Sequence, residues 1–346
     1  MALLYLILLT VLLIGVKTHK KGLFFDDFMG MDQCNAVKGL FILMVFVSHS
    51  MLEVKDCGYD FSGVIDQFGE RIRSEFGQLI VVMFLFYSGY GVMESIMRKG
   101  RDYLTSFPHR RILMVLVNFD IAVLLFVLLD LALGIRLNLR QIILSLFAWR
   151  SVGNSNWYIF VILYCYLITY IGFRLFNKSN ILSVVFVALM IFAGMMVLSY
   201  RRPSNWYNTI LCYPAGMFLS ISKEKVVSFL KKYYWAVLIG SMALLLLFRQ
   251  ISFLELHGFT YNMKSLVFAL LIILLTMKLK TGNAFLYWSG IHLFPLYIYQ
   301  RIPMIAIREL AGKSWVCSYP YLYIILCFLI TLLIVLGYKH WQVKFD

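Results

Sequence analysis

Unbroken apolar runs recur from one end of the chain to the other, parted by short polar stretches. Continuous runs of this kind, without a two-residue alternation, predict helices. Their lengths approach the roughly 20 residues that a bilayer core demands of a spanning helix. Eleven spans are predicted, at about 2–16, 36–52, 77–96, 112–134, 156–175, 181–199, 207–221, 234–248, 265–277, 284–300 and 320–338. A further stretch, 139–149, reads as a short helix lying at the interface or partly re-entering. Backbone inside a bilayer must satisfy its own hydrogen bonds. The expected fold is therefore all-α, a polytopic transmembrane helical bundle with ten core spans and one extra N-terminal span.

Composition agrees with this pattern. The 346 residues are 62% hydrophobic and only 14% charged, too little charge to cover a soluble domain of this size. The net charge of +15 would suggest nucleic acid in a soluble protein, but no nucleic-acid module is present. Here the basic residues sit mainly in short loops, where they set orientation. The first span has no basic residue ahead of it and is followed directly by Lys17, Lys20 and Lys21. That pattern predicts a retained anchor with the N-terminus outside. More than half of the basic residues then fall inside. The outside loop 53–76 carries Glu53, Asp56, Asp60, Asp66, Glu70 and Glu75 against Lys55, Arg71 and Arg73. The C-terminus is expected in the cytoplasm, and the setting is the cytoplasmic membrane of a bacterium.

Two parts are distinguished: an N-terminal anchor and cytoplasmic loop, 1–30, and one membrane domain, 31–346. No internal repeat is visible, which counts against a transporter built from duplicated halves. Cys165, Cys212 and Cys327 lie within apolar runs as core filler, whereas Cys57 and Cys317 fall in outside loops and could pair. No Cys or His spacing suggests a metal.

Ionisable residues within spans are costly and point to function by default. They are Lys38, His49, Glu94, Asp120, Asp130 and His292. Lys38 and His49 are eleven residues apart on one predicted helix. Eleven steps of 100° end about 20° past three turns, so the two share a face, separated by about 16 Å of rise. A cation at the rim can hold phosphates, and a neutral imidazole deeper in can accept a proton from a hydroxyl. The plain alternatives are a snorkelling anchor for Lys38 and an interhelical hydrogen bond for His49. Asp120 and Asp130 are about 80° apart around their helix, so they are not read as a carboxylate pair. His292 is read as a structural hydrogen-bonding residue.

Several motifs in order resemble the acyltransferase 3 family, bacterial membrane acyltransferases that modify surface glycans. Lys38, ten residues and His49 match the family's opening basic-residue-and-histidine helix. Met83-Phe-Leu-Phe-Tyr-Ser88-Gly89 matches its Phe-rich helix ending in Ser-Gly, and Phe107-Pro-His-Arg110-Arg111 its basic cytoplasmic loop. Asn154-Ser-Asn156-Trp157-Tyr158 matches a later aromatic helix start. Trp206-Tyr207 and Pro214-Ala-Gly216-Met217 match the mid-chain helix, and Tyr297-Ile-Tyr-Gln300 the ending. The sequence departs from the family at Met114, where a second loop arginine is usual, at Leu293 and Pro295, and at Gln300, where the family usually has His.

The resemblance implies an O-acyltransferase that moves an acyl group, most simply acetyl, from cytoplasmic acyl-CoA to a hydroxyl of a cell-surface or lipid-linked glycan. It assigns His49 and Lys38 as catalytic, with His49 acting as base or as transient acyl carrier. Arg110, Arg111, Ser88, Gly89, Asn156, Trp157, Tyr158, Tyr297 and Gln300 become substrate-binding residues. For Ser88-Gly89 a close-packing point between helices stands beside that role, and for Trp157 and Tyr158 an interfacial belt. Acetyl-CoA is the expected donor, no metal is expected, and the partners are acyl-CoA, the glycan acceptor and membrane lipid. The rival readings are a polysaccharide or small-molecule transporter using the same polar residues as a pathway, and a structural subunit.

Overall fold

The computed structural model describes residues 1–20, 22–251 and 255–343. Among them the regular structure is helical, apart from one two-residue ladder pairing β1 (Lys17–Thr18) antiparallel with β2 (Leu279–Lys280). The first half holds α1 (Ala2–Leu13), α2 (Met31–Asp56), α3 (Val64–Phe76), α4 (Val82–Phe107), α5 (Met114–Ala132), α6 (Leu139–Leu146), α7 (Trp157–Leu175) and α8 (Asn180–Arg201). The second half holds α9 (Cys212–Ile221), α10 (Lys223–Lys232), α11 (Tyr234–Gln250), α12 (Phe259–Lys278), α13 (Ala284–Ile291), α14 (Leu293–Tyr299), α15 (Arg301–Ala311), α16 (Lys313–Ser318) and α17 (Pro320–Tyr338).

The all-α membrane character matches the apolar runs, while helix length and composition do not by themselves yield eleven spans. Among the described residues six helical runs are long and apolar enough to cross a membrane. They are Met31–Asp56, Val64–Ala132, Trp157–Leu175, Asn180–Arg201, Phe259–Lys278 and Pro320–Tyr338. A seventh is added if α10 and α11, bent by 92°, form one broken span. Three features lower the number. Two predicted spans, 77–96 and 112–134, fall within one 69-residue run, which is several times longer than a single crossing and whose α4 leaves helical geometry at Gly100 (φ 57, ψ −131). With 12 and 10 residues, α1 and α9 rise only about 15–18 Å, short of a bilayer core of roughly 30 Å. The predicted span 284–300 is divided into α13 and α14 at His292.

Other local readings also change. The basic segment around Arg110 is not a loop: α4 runs on to Phe107 and passes into a π turn, Pro108–Leu113. The acidic loop 53–76 contains the amphipathic helix α3. The stretch 139–149 forms α6, begun by the Asn138 side chain, which accepts a hydrogen bond from the Arg140 amide.

Lipid tails are as apolar as leucine, so helices in a membrane gain little by hiding apolar faces from them and associate through close backbone packing. Two contacts here are of that kind. A Cβ on Gly39 of α2 would lie 1.8 Å from the Leu286 carbonyl oxygen of α13, and one on Gly290 would lie 1.8 Å from the Asn35 carbonyl oxygen. Between α4 and α9 the same holds for Gly89 against Tyr213 and Gly216 against Phe86, each at 2.0 Å.

The two ends of the bundle differ. At one end, β1 and β2 tie the 17–30 segment to the end of α12, and Lys231 pairs with Asp26 at 3.0 Å. Lys38, Arg98, Arg111 and Lys223 gather at this end. At the other, the α1 ammonium is bonded to Asp66 and to the Tyr321 hydroxyl. There Cys57 and Cys317 are both free thiols, with Cys317 Sγ donating to the Cys57 carbonyl at 3.3 Å.

Candidate active site

Lys38 owes its position to its neighbour. Gly39 brings α2 against α13, and Lys38, one residue earlier, is held half-buried on the wall of a cavity of about 870 Å3. That volume lies in the range of small-molecule and cofactor sites, roughly 300–1,000 Å3. The cavity sits between α2, α4, the π turn, α7 and the C-terminal segment. Arg111 reaches into it, its Nε donating to the Tyr103 hydroxyl at 3.0 Å. Ser88 on the opposite wall shares a 2.7 Å hydrogen bond with the Tyr166 hydroxyl. Arg98 and Lys223 add positive charge at the mouth. Glu94, also on the wall, accepts from Ser220 Oγ at 3.0 Å. Asn118 fastens the C-terminal segment over this region, donating to the Val343 carbonyl at 2.8 Å and accepting from its amide at 2.9 Å. The result is a pocket lined both by cations and by the aromatic rings of Phe84, Tyr87, Tyr90, Tyr158 and Tyr166, suited to an anionic head carrying a less polar tail.

His49 follows on the same continuous helix, about 16 Å farther along. It is half-buried, with Nδ1 shielded from solvent and no hydrogen-bond partner among the described residues. It does not lie on the wall of the 870 Å3 cavity. The aromatic pair Tyr158 and Tyr297 links the cavity wall to α14. Tyr158 lines the cavity, and its ring meets that of Tyr297 edge-on at 5.4 Å. Beyond Tyr297, α14 gives way at Gln300 to α15.

One turn past His49, the buried Glu53 pairs with Arg301 at 2.7 Å and with Arg308. Fully buried Gln300 donates from Nε2 to the Tyr297 carbonyl at 3.2 Å, leaving Oε1 without a partner. The Nε of Arg301 is likewise buried and unpartnered among the described residues. With the Tyr297 hydroxyl, also buried and unpartnered among the described residues, four unpaired polar atoms belong to adjoining parts of α2 and the α14–α15 junction. Buried polar groups are nearly always paired in native proteins, so such a cluster fits a place where a polar ligand docks.

The remaining candidate residues separate into two groups. Lys38, Ser88, Arg111 and Tyr158 share the cavity. Arg110, next to Arg111, is exposed and outside it, because consecutive residues of a π turn point in different directions. Gly89 is a packing residue against Tyr213. Asn156 is buried and donates to the Ala148 carbonyl at 2.7 Å, holding the 148–156 turn rather than a ligand. Trp157 is half-buried and off the cavity wall, with its ring edge-on to Tyr158 at 6.0 Å. His292 makes a structural contact, its Nδ1 2.9 Å from the Trp288 carbonyl.

Sequence reasoning missed Glu53, placed in a loop because α2 runs farther than predicted, to Asp56. It also missed Arg301 and Arg308, whose role appears only once residues 248 and 255 positions apart are brought together. The i, i+4 spacing of His49 and Glu53 was the one available signal. No group of His, Cys, Asp and Glu that could hold a metal occurs among the described residues.

A family model described as an acyltransferase domain, acyltransferase 3, matches residues 32–339. Neither the curated proteins nor the solved structures contain a match.

Proposed function

Since the chain belongs to the acyltransferase 3 family, we propose that it moves an acyl group, most simply acetyl, from cytoplasmic acyl-CoA to a hydroxyl of a cell-surface or lipid-linked glycan. The observation that carries this reading is one helix, α2, with a cation in a large basic-rimmed cavity near one end and an unpartnered imidazole three turns on. Basic residues favour the cytoplasmic side, so the cavity end faces the cytoplasm and the His49 end faces outward. The setting is the cytoplasmic membrane of a bacterium, with the N-terminus outside.

In this mechanism Lys38 and Arg111, with Arg98 and Lys223 at the mouth, hold the phosphates of the donor. The pantetheine arm is long enough to cover the distance along α2. It passes the Tyr158–Tyr297 pair, which must part to admit it. At the far end the acceptor hydroxyl attacks the thioester carbonyl. His49 takes the hydroxyl proton as the C–O bond forms. The C–S bond then breaks, and the proton passes from the imidazolium to the departing thiolate. A sugar hydroxyl is a weak nucleophile, so placing it against a fixed base contributes most of the acceleration.

Membranes containing the full chain and supplied with [14C]acetyl-CoA test the proposal. Label is expected in the glycan fraction with the wild type and at background with His49→Ala. Equal labelling by both proteins would remove His49 from the chemistry. Movement of a sugar across the membrane without incorporated label would make the protein a transporter.

A further inference from the structure

The half of the site around His49 contains a charge that the mechanism above does not use. Attack on a thioester places negative charge on the carbonyl oxygen, and preorganised donors aimed at that oxygen are usually the largest single contribution to acyl transfer. Such a donor must be held rigidly, must keep one N–H unspent in the resting protein, and must be anchored to the same stretch of helix as the base. Arg301 has these properties. It begins α15, directly after Gln300. Its Nη2 is bound to Glu53 at 2.7 Å, and Glu53 is one helical turn from His49 on α2. Glu53 is itself fixed from a second side by Arg308, which also binds Glu309 at 2.8 Å. The guanidinium is therefore clamped through one edge. Its Nε–H is buried and free among the described residues, as are His49 Nδ1 and Gln300 Oε1.

We infer that Arg301 is a catalytic residue whose Nε–H receives the oxyanion formed at His49, and that Glu53 is the positioning residue that holds it there. The inference rests on the acyl-transfer reading and deepens it. As the hydroxyl oxygen bonds to the carbonyl carbon, the carbonyl π electrons move onto oxygen and the hydroxyl proton moves to His49. Arg301 donates to that oxygen without giving up a proton. When the C–S bond breaks, the carbonyl re-forms and the hydrogen bond loosens. Glu53 is a buried carboxylate rather than a solvent-exposed one. A buried one shared by two arginines fixes direction as well as charge.

Membranes of the full chain are assayed with varied [14C]acetyl-CoA, for wild type, Arg301→Ala, Arg301→Lys, Glu53→Gln and the exposed-pair control Arg249→Gln. Arg301→Ala should lower kcat about 100- to 1,000-fold with the acetyl-CoA KM little changed. Arg301→Lys should recover only part, because an ammonium cannot bind Glu53 and the oxyanion through one planar fork. Added guanidinium ion should restore labelling to Arg301→Ala but not to His49→Ala. Glu53→Gln should lower kcat less than Arg301→Ala and should not respond to guanidinium. Correct folding is read separately from thermal unfolding in detergent. A folded Arg301→Ala protein with kcat within a few-fold of wild type, or one whose whole loss lies in KM, overturns the inference. If the wild type places no label in glycan, the acyl-transfer reading itself fails, whatever Arg301 does.

Discussion

The contact between α2 and α13 can be perturbed by single methyl groups, with consequences that follow from its geometry. Gly39→Ala places a Cβ 1.8 Å from the Leu286 carbonyl oxygen and 2.7 Å from its carbon. Ordinary contact begins near 3.4 Å, so the helices must separate by about 1.6 Å at this point. The obstruction is backbone and cannot swing aside as a side chain would. Overpacking a tight contact costs about 1–3 kcal/mol, and a rigid one belongs in the upper part of that range, about 2–3 kcal/mol. With an unfolding entropy of about 2.1 cal/mol/K per residue, the 346-residue chain should lose about 3 to 4 °C in Tm. Gly290→Ala meets the Asn35 carbonyl oxygen at the same 1.8 Å, one turn away along the same interface. Once either alanine has pushed the helices apart, the other costs less. The double variant should therefore fall short of the sum by about 0.5–3 kcal/mol. Gly240→Ala is the control: nothing lies within 4 Å of its Cβ, and replacing a helical glycine by alanine stabilises by up to about 1 kcal/mol. Thermal unfolding of the four variants in one detergent is the measurement. If Gly39→Ala unfolds no lower than Gly240→Ala, or if the two interface alanines add fully, the helices are not in the close contact described. Because Lys38 adjoins Gly39, the same separation should raise the acetyl-CoA KM of Gly39→Ala.

Other expectations are more quickly checked. Lys38→Arg should retain more labelling than Lys38→Ala, with the difference in acetyl-CoA KM; equal loss would mean that the cation there is not what matters. Arg111→Ala should raise that KM about 10- to 100-fold, the scale of one charge-assisted hydrogen bond, while exposed Arg110→Ala should stay near wild type; the reverse order would place the donor elsewhere. Outside the spans, Tyr59 donates to Asp66 at 2.7 Å, and that bond raises its phenol from an ordinary 10.0 to about 12. A raised pKa stabilises the fold fully below pH 10.0 and progressively less as pH climbs through about 12. The Tm gap between wild type and Tyr59→Phe should thus be level below pH 10 and close between pH 10 and 12; a gap that widens there would refute the bond.

Much of this architecture can be read from the sequence, because the bilayer allows few alternatives for continuous apolar runs. Lys38 and His49 can be assigned to one face of one helix by counting alone. What stays hidden is whatever depends on a partner distant in sequence. A glycine in an apolar run is visible, but that Gly39 meets Leu286 and Gly89 meets Tyr213 requires the folded chain. Glu53 reads as one acid among several in an outside loop until Arg301 and Arg308 arrive from the other end of the sequence. Arg110 and Arg111 read alike because the sequence gives no hint of a π turn, which sends one inward and leaves the other at the surface. The number of spans is obscured for a related reason. Short helices such as α9 can be set within a bundle by tight packing on α4 rather than by their own length.

The two ends of α2 are secured in different ways, and the difference matches the chemistry expected at each. Near Lys38 the helix is held by backbone contact, with no charge spent on holding it, so the cations at the cavity rim stay available for a ligand. Near His49 it is held by Glu53, bound to two arginines on α15. Removing one partner of a buried ion pair leaves an uncompensated charge and is strongly destabilising, so this end resists displacement along the helix as well as across it. A helix fixed at one end by close packing and at the other by charge keeps a constant distance between its lysine and its imidazole. The adjustment needed to admit a long donor must then fall on the elements around α2. Of these, the Tyr158–Tyr297 ring pair joins the cavity wall to the helix that leads into the α14–α15 junction.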